Sequence, residues 1–357
     1  MSVFNFFVAL MVLYLIWGLL LKRSIKNLSC SRTLSCETAF EGEEGELIEV
    51  VRNDRPYLIP WLRIESDLSP YIQLGRQENL HVGDQRYYCS SFTLMPYQQI
   101  RRRHHVKFLH RGSYDLGNAT LTIGDLLDIK QFWRKQRTNT KVLVYPRLLD
   151  KEELPFPVSL VLGELVRCQQ LLTDPFLIRG IRAYQPGDPI RDIHWPATAR
   201  SGEVQVRVHD HSARARLLVV LNAQKEDGQW GNVILKEDEM PVEKGIRLAA
   251  SVCVHALRSG LPAGFATNLP VSDAKVSTIL LPEEGTACEE ELLAAFARLN
   301  LRCAEKFLVF LDSLVNYTDL DILLISQYDS DGIQEGIRKL RQNGNQVTLY
   351  VAEGGSQ

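Results

Sequence analysis

The sequence predicts a multidomain α+β protein with an N-terminal transmembrane helix, an antiparallel β-sandwich domain and a C-terminal α/β domain of Rossmann-like type. Three observations predict this fold class. The first 21 residues carry no charged side chain, residues 37–145 alternate short β-like stretches with turn signals, and residues 217–351 alternate strand-like and helix-like stretches. The chain has 357 residues, enough for two domains of about 150 residues plus an anchor.

The apolar run Val3–Leu21 would span about 28 Å as a helix, close to the ~30 Å hydrocarbon core of a bilayer. Its start is neutral and no small-residue cleavage site follows, which favours an uncleaved anchor over a signal peptide. The alternative, a helix buried in a soluble core, would need protein on every face of Phe6–Leu21. The flanking cations all follow the run: Lys22, Arg23, Lys26 and Arg32. The positive-inside rule therefore predicts a single-pass protein of the cell (inner or plasma) membrane, with cytoplasmic C-terminal domains.

The composition is that of an ordinary folded protein in a reducing compartment. The chain carries 41 Lys and Arg against 43 Asp and Glu, with 45% hydrophobic residues, which is typical of an ordinary folded protein. Seven cysteines occur without a C-x-x-C motif. This usage indicates a reducing compartment and argues against a disulfide scaffold or a structural zinc site.

The predicted organisation has five parts: a transmembrane anchor at 1–21, a basic juxtamembrane linker at 22–36, the β-sandwich domain at 37–145, a connector at 146–210 and the α/β domain at 211–357. In the β domain, strands are expected at Leu47–Val51, Trp61–Ile64, Arg86–Leu94, Val106–His110, Leu121–Ile123 and Val142–Tyr145. The acidic residues from Glu41 to Glu49 are expected to form a solvated lead-in. In the α/β domain, the unbroken apolar strand Leu217–Leu221 and the helical stripe of Val242–Leu257 predict a parallel sheet with helices on both faces.

The connector has the most unusual sequence. Pro186-Gly187-Asp188-Pro189 is a turn before an expected helix, in which Asp188 would be the N-cap and Pro189 the first helical residue. Arginines alternate there with acidic and aromatic residues.

These residues resemble the signature of the bacterial family called "domain of unknown function 58", in which an Arg-x-Tyr-x-Pro-Gly-Asp turn precedes Arg-x-Ile-x-Trp and then Ala-Arg. The matching positions are Arg182, Tyr184, Pro186, Gly187, Asp188, Arg191, Ile193, Trp195, Ala199 and Arg200. The likeness extends over nearly the whole chain. The resemblance implies a membrane-anchored protein with an N-terminal β domain and a C-terminal von Willebrand A-like domain, associated with MoxR-type AAA+ ATPases.

The sequence departs from the family pattern in two places. Family members often carry two membrane helices, whereas no second apolar run of sufficient length follows Lys22. Metal-binding A domains continue their first strand with Asp-x-Ser-x-Ser, but here Asn222 and Gln224 replace that pattern. Since a divalent cation prefers carboxylate and hydroxyl oxygens, we expect no metal at this loop and no cofactor elsewhere.

Two interpretations of the arginine-rich signature remain open. Guanidinium groups and a helix start suit an anion or a partner surface. Alternatively, Arg182, Arg191 and Arg200 pair internally with Asp188 and Asp192. The high cost of burying an unpaired charge favours the internal network.

The strongest basic cluster is Arg101-Arg102-Arg103-His104-His105 with Lys107. Arg101, Arg102, Arg103 and Lys107 could face anionic headgroups, or the segment could be a solvated edge strand that charge protects from pairing. Nucleic acid is not an expected partner, because the chain is near neutral and no binding motif accompanies the cluster.

No phosphate-binding loop, dinucleotide fingerprint or nucleophile elbow occurs in the chain. We therefore expect a non-enzymatic, membrane-tethered interaction or scaffold protein. Its expected partners are membrane lipid, through the N-terminal helix, and by resemblance a cytoplasmic MoxR-type ATPase. The alternative is a surface-exposed adhesion or cell-wall-associated protein, which requires the opposite membrane orientation.

Overall fold

A computed structural model describes residues 2–75, 80–82, 87–125, 129–172, 178–185, 190–209, 215–227, 229, 234, 236–272 and 274–352. The chain divides after Arg147 into two units, Met1–Arg147 and Leu148–Gln357. Each unit has hydrophobic clusters of its own.

The first unit consists of one long helix, α1 (Ser2–Asn27), followed by twelve strands. The strands are β1 (Leu28–Leu34), β2 (Thr38–Phe40), β3 (Glu44–Asn53), β4 (Ile59–Asp67), β5 (Ile72–Leu74), β6 (Leu80–Val82), β7 (Tyr87–Leu94), β8 (Gln99–Phe108), β9 (Gly112–Asp115), β10 (Asn118–Gly124), β11 (Gln131–Arg137) and β12 (Lys141–Tyr145). They form three sheets with the orders β1-β3-β8-β5, β11-β10-β4-β7-β6 and β2-β12-β9.

The core of this unit lies between the first two sheets. The strands alternate buried and exposed residues, as strands with one buried face do. One cluster joins Val51 of β3 to Leu62, Ile64 and Leu121 of the second sheet, with Ile25 of α1 included. The pairings within both sheets are antiparallel, as the sequence predicts.

The expected juxtamembrane linker at 22–36 is wrong. Helix α1 continues to Asn27, and β1 pairs antiparallel with β3 over its whole length, from Leu28 opposite Asn53 to Leu34 opposite Leu47. The basic residues conceal a period-2 pattern in β1, in which every second side chain from Leu28 to Arg32 is buried.

The second unit is built on a five-stranded sheet of order β17-β16-β15-β18-β19. The elements of this unit are α2 (Phe156–Leu172), β13 (Ile178–Ala183), α3 (Trp195–Ser201), β14 (Gln205–His209), β15 (Leu217–Leu221), α4 (Lys236–Arg258), β16 (Ala263–Thr267), β17 (Thr278–Glu283), α5 (Thr286–Arg298), α6 (Phe307–Ser313), β18 (Asp321–Ser326), α7 (Asp331–Gln342) and β19 (Gln346–Val351). Short 3-10 turns occur at Ile190–Asp192 and Leu314–Asn316.

Helices cover both faces of this sheet, as the apolar strand β15 predicts. Leu217, Val219 and Leu221 belong to one cluster, whereas Leu218 and Val220 belong to the other. The helices α2, α4 and α5 contribute to the first cluster, and α6 and α7 to the second. The sheet is not wholly parallel: β17 pairs antiparallel with β16 at one edge.

Most of the expected connector belongs to the second unit. Leu154, Val158 and Leu162 join the cluster of α4 and β15. The unit boundary at Arg147 therefore leaves no separate connector domain among the described residues.

Candidate functional site

The family-signature residues lie on a small module of the second unit, which we call the signature module (residues 178–185 and 190–209). Strands β13 and β14 form a two-stranded antiparallel sheet, with Arg182 opposite Val206. Ile193 makes a further bridge to Val206. The 3-10 turn and α3 lie between the two strands in sequence.

Local hydrogen bonds hold α3 on β14. The His194 Nδ1 accepts from the Ala197 N–H at 3.1 Å, which caps the start of α3. The Thr198 hydroxyl donates to the His194 carbonyl at 3.1 Å and accepts from the Gln205 N–H at 3.0 Å. Gly202 ends the helix with a φ of 77°, a left-handed conformation that favours glycine. The helix therefore keeps its place although it has only seven residues.

The module exposes apolar side chains. Helix α3 contains no buried residue, and Trp195 at its start is 65% exposed. Ile190 is 75% exposed, while Ile181 and Tyr184 are also exposed. Several large exposed apolar side chains within one small module are typical of a binding surface.

The remaining signature residues are placed as follows. Arg182 and Arg200 are exposed, and Nη1 of Arg182 donates to the Ala183 carbonyl at 3.0 Å. Ile193 is half-buried and Ala199 is exposed. Pro186, Gly187 and Asp188 lie outside the described residues, as does the side chain of Arg191. The expected Asp188 cap and its pairing with arginines therefore stay predictions.

Amide side chains fill the loop after β15, where Asn222 and Gln224 lie. Asn222 Nδ2 donates to Ser326 Oγ at 3.1 Å, and Asn222 Oδ1 accepts from the Gln224 N–H at 2.9 Å. Gln224 Oε1 accepts from the Phe307 N–H at 2.7 Å. Asn222, Gln224 and Ser326 are all buried. These side chains tie β15, β18 and α6 together, and the absence of a metal there stays a prediction.

A groove of about 670 Å³ in the second unit lies beside the edge strand β19. Leu248 of α4, Pro155 and Tyr350 contribute apolar walls, and Lys244 and Arg247 contribute basic groups. No cluster of three metal-ligating side chains occurs among the described residues.

The basic cluster of the first unit is divided by the pleat of β8. Arg101, Arg103 and Lys107 are exposed on one face, whereas Arg102 is half-buried, with its guanidinium carbon 4.3 Å from the centre of the Phe92 ring. His104 is buried. The cluster is thus not one continuous surface, and membrane binding by its exposed half stays a prediction.

A buried charge cluster was missed by sequence reasoning. Arg32 donates through Nε and Nη2 to Glu49 Oε1, at 2.9 and 2.7 Å, and through Nη2 to Ser66 Oγ at 2.5 Å. His104 Nε2 lies 3.9 Å from Glu49 Oε2. The expectation that Glu49 is solvated is wrong, since it is 2% exposed. Burial alone would raise the pKa of Glu49, but His104 and the Arg32 guanidinium hold that pKa below its ordinary value.

The fold and the signature module together define a protein with one long apolar N-terminal helix, a strand-rich first unit and an α/β second unit. The chain matches the family described as "Protein of unknown function DUF58" over residues 180–298. The expected resemblance to this family is therefore confirmed.

Other comparisons add little. No curated protein matches the chain. Among solved structures, a Salmonella alpha-2-macroglobulin shares 13% identity at a TM-score of 0.26, covering 33% of this chain and 9% of its own. A CARDB domain from Pyrococcus furiosus shares 10% identity at a TM-score of 0.21, covering 33% of this chain and 88% of its own. A type I cohesin from Pseudobacteroides cellulosolvens shares 12% identity at a TM-score of 0.23, covering 34% and 94%. At these scores the likenesses indicate neither fold nor function.

Proposed function

We propose that the protein is a membrane-anchored, non-enzymatic interaction protein that docks a cytoplasmic protein through its signature module. By family resemblance, the partner is a MoxR-type AAA+ ATPase and the second unit is a von Willebrand A-like domain. The exposed apolar surface of the signature module carries this proposal. Trp195 on α3 and Tyr184 after β13 are both exposed, so packing against the described residues of the second unit does not explain why these two aromatic side chains occur in the module.

The anchoring helix is α1. Among the described residues, only Phe4–Asn27 is long and apolar enough to cross a membrane. The cations at its C-terminal end favour a cytoplasmic location of the two units.

The charge and aromatic content of the signature module suit a protein partner. Arg182 and Arg200 are exposed, as are the apolar side chains of Tyr184 and Trp195. Trp, Tyr and Arg are the residue types most enriched among the side chains that dominate binding energy. Exposed arginines on such a surface raise the rate of encounter with an acidic partner.

Docking is tested with the full chain in detergent or nanodiscs and a MoxR-type ATPase encoded beside it. We expect Trp195→Ala to weaken binding by about 30-fold or more, the loss of roughly 2 kcal/mol that defines a dominant contact. Met240→Ala is the matched control, because Met240 is 69% exposed on α4, outside the module. Equal binding by wild type and Trp195→Ala, or no binding in either nucleotide state, would reject the proposal.

The membrane orientation can be tested by labelling a thiol that the solvent can reach. Cys30 is unsuitable, because it is buried and burial raises the pKa of its thiol to about 11. Asn139→Cys places a thiol on an exposed loop of the first unit. In intact cells we expect an impermeant thiol reagent to leave the Asn139→Cys variant unlabelled until the cells are opened; labelling before lysis would contradict the cytoplasmic location.

A further inference from the structure

Only part of α1 is free of the first unit. Gly18, Leu21 and Ile25 are buried, whereas every residue from Phe4 to Leu13 is exposed. The segment before Tyr14 is about 18 Å long, at ~1.5 Å per residue, and is too short to cross a hydrocarbon core of ~30 Å. If α1 crosses the membrane, some of the part that contacts the first unit must also lie in the bilayer.

The element that lies beside this part of α1 is the β10–β11 hairpin. The Tyr14 hydroxyl donates to Asp125 Oδ2 at 2.6 Å, and Lys130 Nζ lies 4.4 Å from the centre of the Tyr14 ring. Further along, Arg134 Nη1 donates to the Lys26 carbonyl at 2.8 Å. The hairpin therefore follows α1 from Lys26 to Tyr14.

These contacts determine how deep in the membrane the hairpin lies when α1 crosses it. Tyr14 lies seven residues, or roughly 10 Å, along the helix from Leu21, where the apolar run ends. The headgroup zone of each leaflet is about 5–8 Å thick, and interfacial protein elements enter about 5–10 Å. Asp125 and Lys130, the described residues at this end of the hairpin that contact Tyr14, thus reach the boundary between headgroups and acyl chains.

The outward face of the second sheet at this end, which we call the hairpin face, includes Trp61, Arg63 and Trp133, and Ile129 lies in the loop before β11. Trp133 and Arg63 lie opposite the same residue of β10, Thr122, and Trp61 lies opposite Gly124. Ile129 is 68% and Trp133 67% exposed.

Two features of this face fit a lipid interface. The Trp61 ring occupies the space that a side chain at position 124 would need, and the Arg63 guanidinium carbon lies 5.5 Å from the centre of that ring. Tryptophan concentrates at membrane interfaces because its ring is apolar and its N–H is polar, and arginine complements lipid phosphates.

We propose that the hairpin face lies in the phospholipid headgroup layer of the same membrane that α1 crosses, so that the β domain holds the bilayer by a second contact. The inference rests on the proposed anchoring by α1. It accounts for large apolar side chains that water would otherwise surround.

The test uses the full chain reconstituted in vesicles of phosphatidylethanolamine and phosphatidylglycerol, with lipids brominated near the top of the acyl chains as quenchers. The chain has five tryptophans. One variant keeps only Trp133 and a second keeps only Trp17, which reports on insertion of α1; phenylalanine replaces the others. The matched control moves the single tryptophan from position 133 to 137 (Trp133→Phe with Arg137→Trp). Position 137 is exposed on the same strand, about 13 Å further from the tip. Circular dichroism checks that each variant is folded.

We expect brominated lipid to quench both Trp17 and Trp133, to shift the Trp133 emission to shorter wavelength, and to leave the tryptophan at position 137 much less quenched. Quenching of Trp17 with none at Trp133 would overturn the inference while leaving the anchor intact. Absence of quenching at Trp17 would overturn the anchoring itself, and with it this inference.

Discussion

Substitution of Arg32, which forms a buried ion pair with Glu49, tests what stabilises the first unit. The side chains of Arg32 and Glu49 are 6% and 3% exposed. Arg32→Ala would leave the Glu49 carboxylate buried without its two guanidinium hydrogen bonds. Removing one partner of a buried pair costs about 3–5 kcal/mol, a large part of the roughly 5–15 kcal/mol that stabilises a domain.

Hydrogen exchange of the intact protein measures this loss within one unit. At about 1.4 kcal/mol per factor of ten, amides of β3 and β8 should exchange on the order of 100-fold faster or more in Arg32→Ala. Amides of β15 and β18, in the other unit, provide an internal reference. Arg63→Ala is the control variant: Arg63 Nη1 lies 3.7 Å from Glu65 Oε1, and because this pair is exposed its loss should cost at most about 1 kcal/mol.

The double variant Arg32→Met with Glu49→Leu distinguishes the effect of the two charges from the effect of the volume that the two side chains fill. Replacing both charges with apolar side chains of similar volume is often close to neutral, so exchange should return toward the wild-type rate. If Arg32→Ala changes exchange in β3 no more than Arg63→Ala does, the reasoning from burial and pairing is refuted.

The buried charge cluster of Arg32, Glu49 and His104 makes the stability of the first unit depend on pH. The pKa of Glu49 is lower in the folded protein than its ordinary value of 4.5. The ionised carboxylate therefore adds stability above about pH 4.5, and this stability is lost as the pH falls through the lower folded value. Exchange in β3 should accelerate in that acid range in wild type, and the acceleration should be smaller in the double variant.

Three further outcomes are expected. Trp195→Ala and Arg200→Ala should leave the thermal midpoint nearly unchanged, since both side chains are exposed; a marked fall in midpoint would instead favour the internal network. Gly124→Ala should destabilise the first unit by about 1–3 kcal/mol in denaturant unfolding, because its Cβ would overlap the Trp61 ring, and a variant of wild-type stability would contradict that packing. Asn222→Ala should destabilise the second unit by roughly 1–3 kcal/mol, since buried hydrogen-bond partners lose their bonds; hydrogen exchange in β15 measures it, and unchanged exchange would argue against the amide network.

Local patterns in the sequence predicted much of the architecture. The charge-free N-terminal run became α1, the apolar stretch Leu217–Leu221 became the central strand β15, and the helical stripe of Val242–Leu257 lies within α4. Each of these signals is carried by residues close together in the chain, where the period of apolar side chains directly reflects helix or strand geometry. The signature residues were identified differently, by their resemblance to the signature of a known family.

Tertiary structure decided which side chains meet. Arg32 was expected in a linker and Glu49 in a solvated lead-in, yet the register of β1 against β3 turns both inward and makes them partners. The alternation of side chains along β8 likewise divides the run from Arg101 to Lys107 between the two faces of that strand. A charged residue in a strand gives no local sign of which face it occupies, because that depends on pairing with strands distant in sequence. Tertiary structure also leaves α3 exposed, since no element among the described residues buries its side chains. No local sequence pattern indicates this exposure.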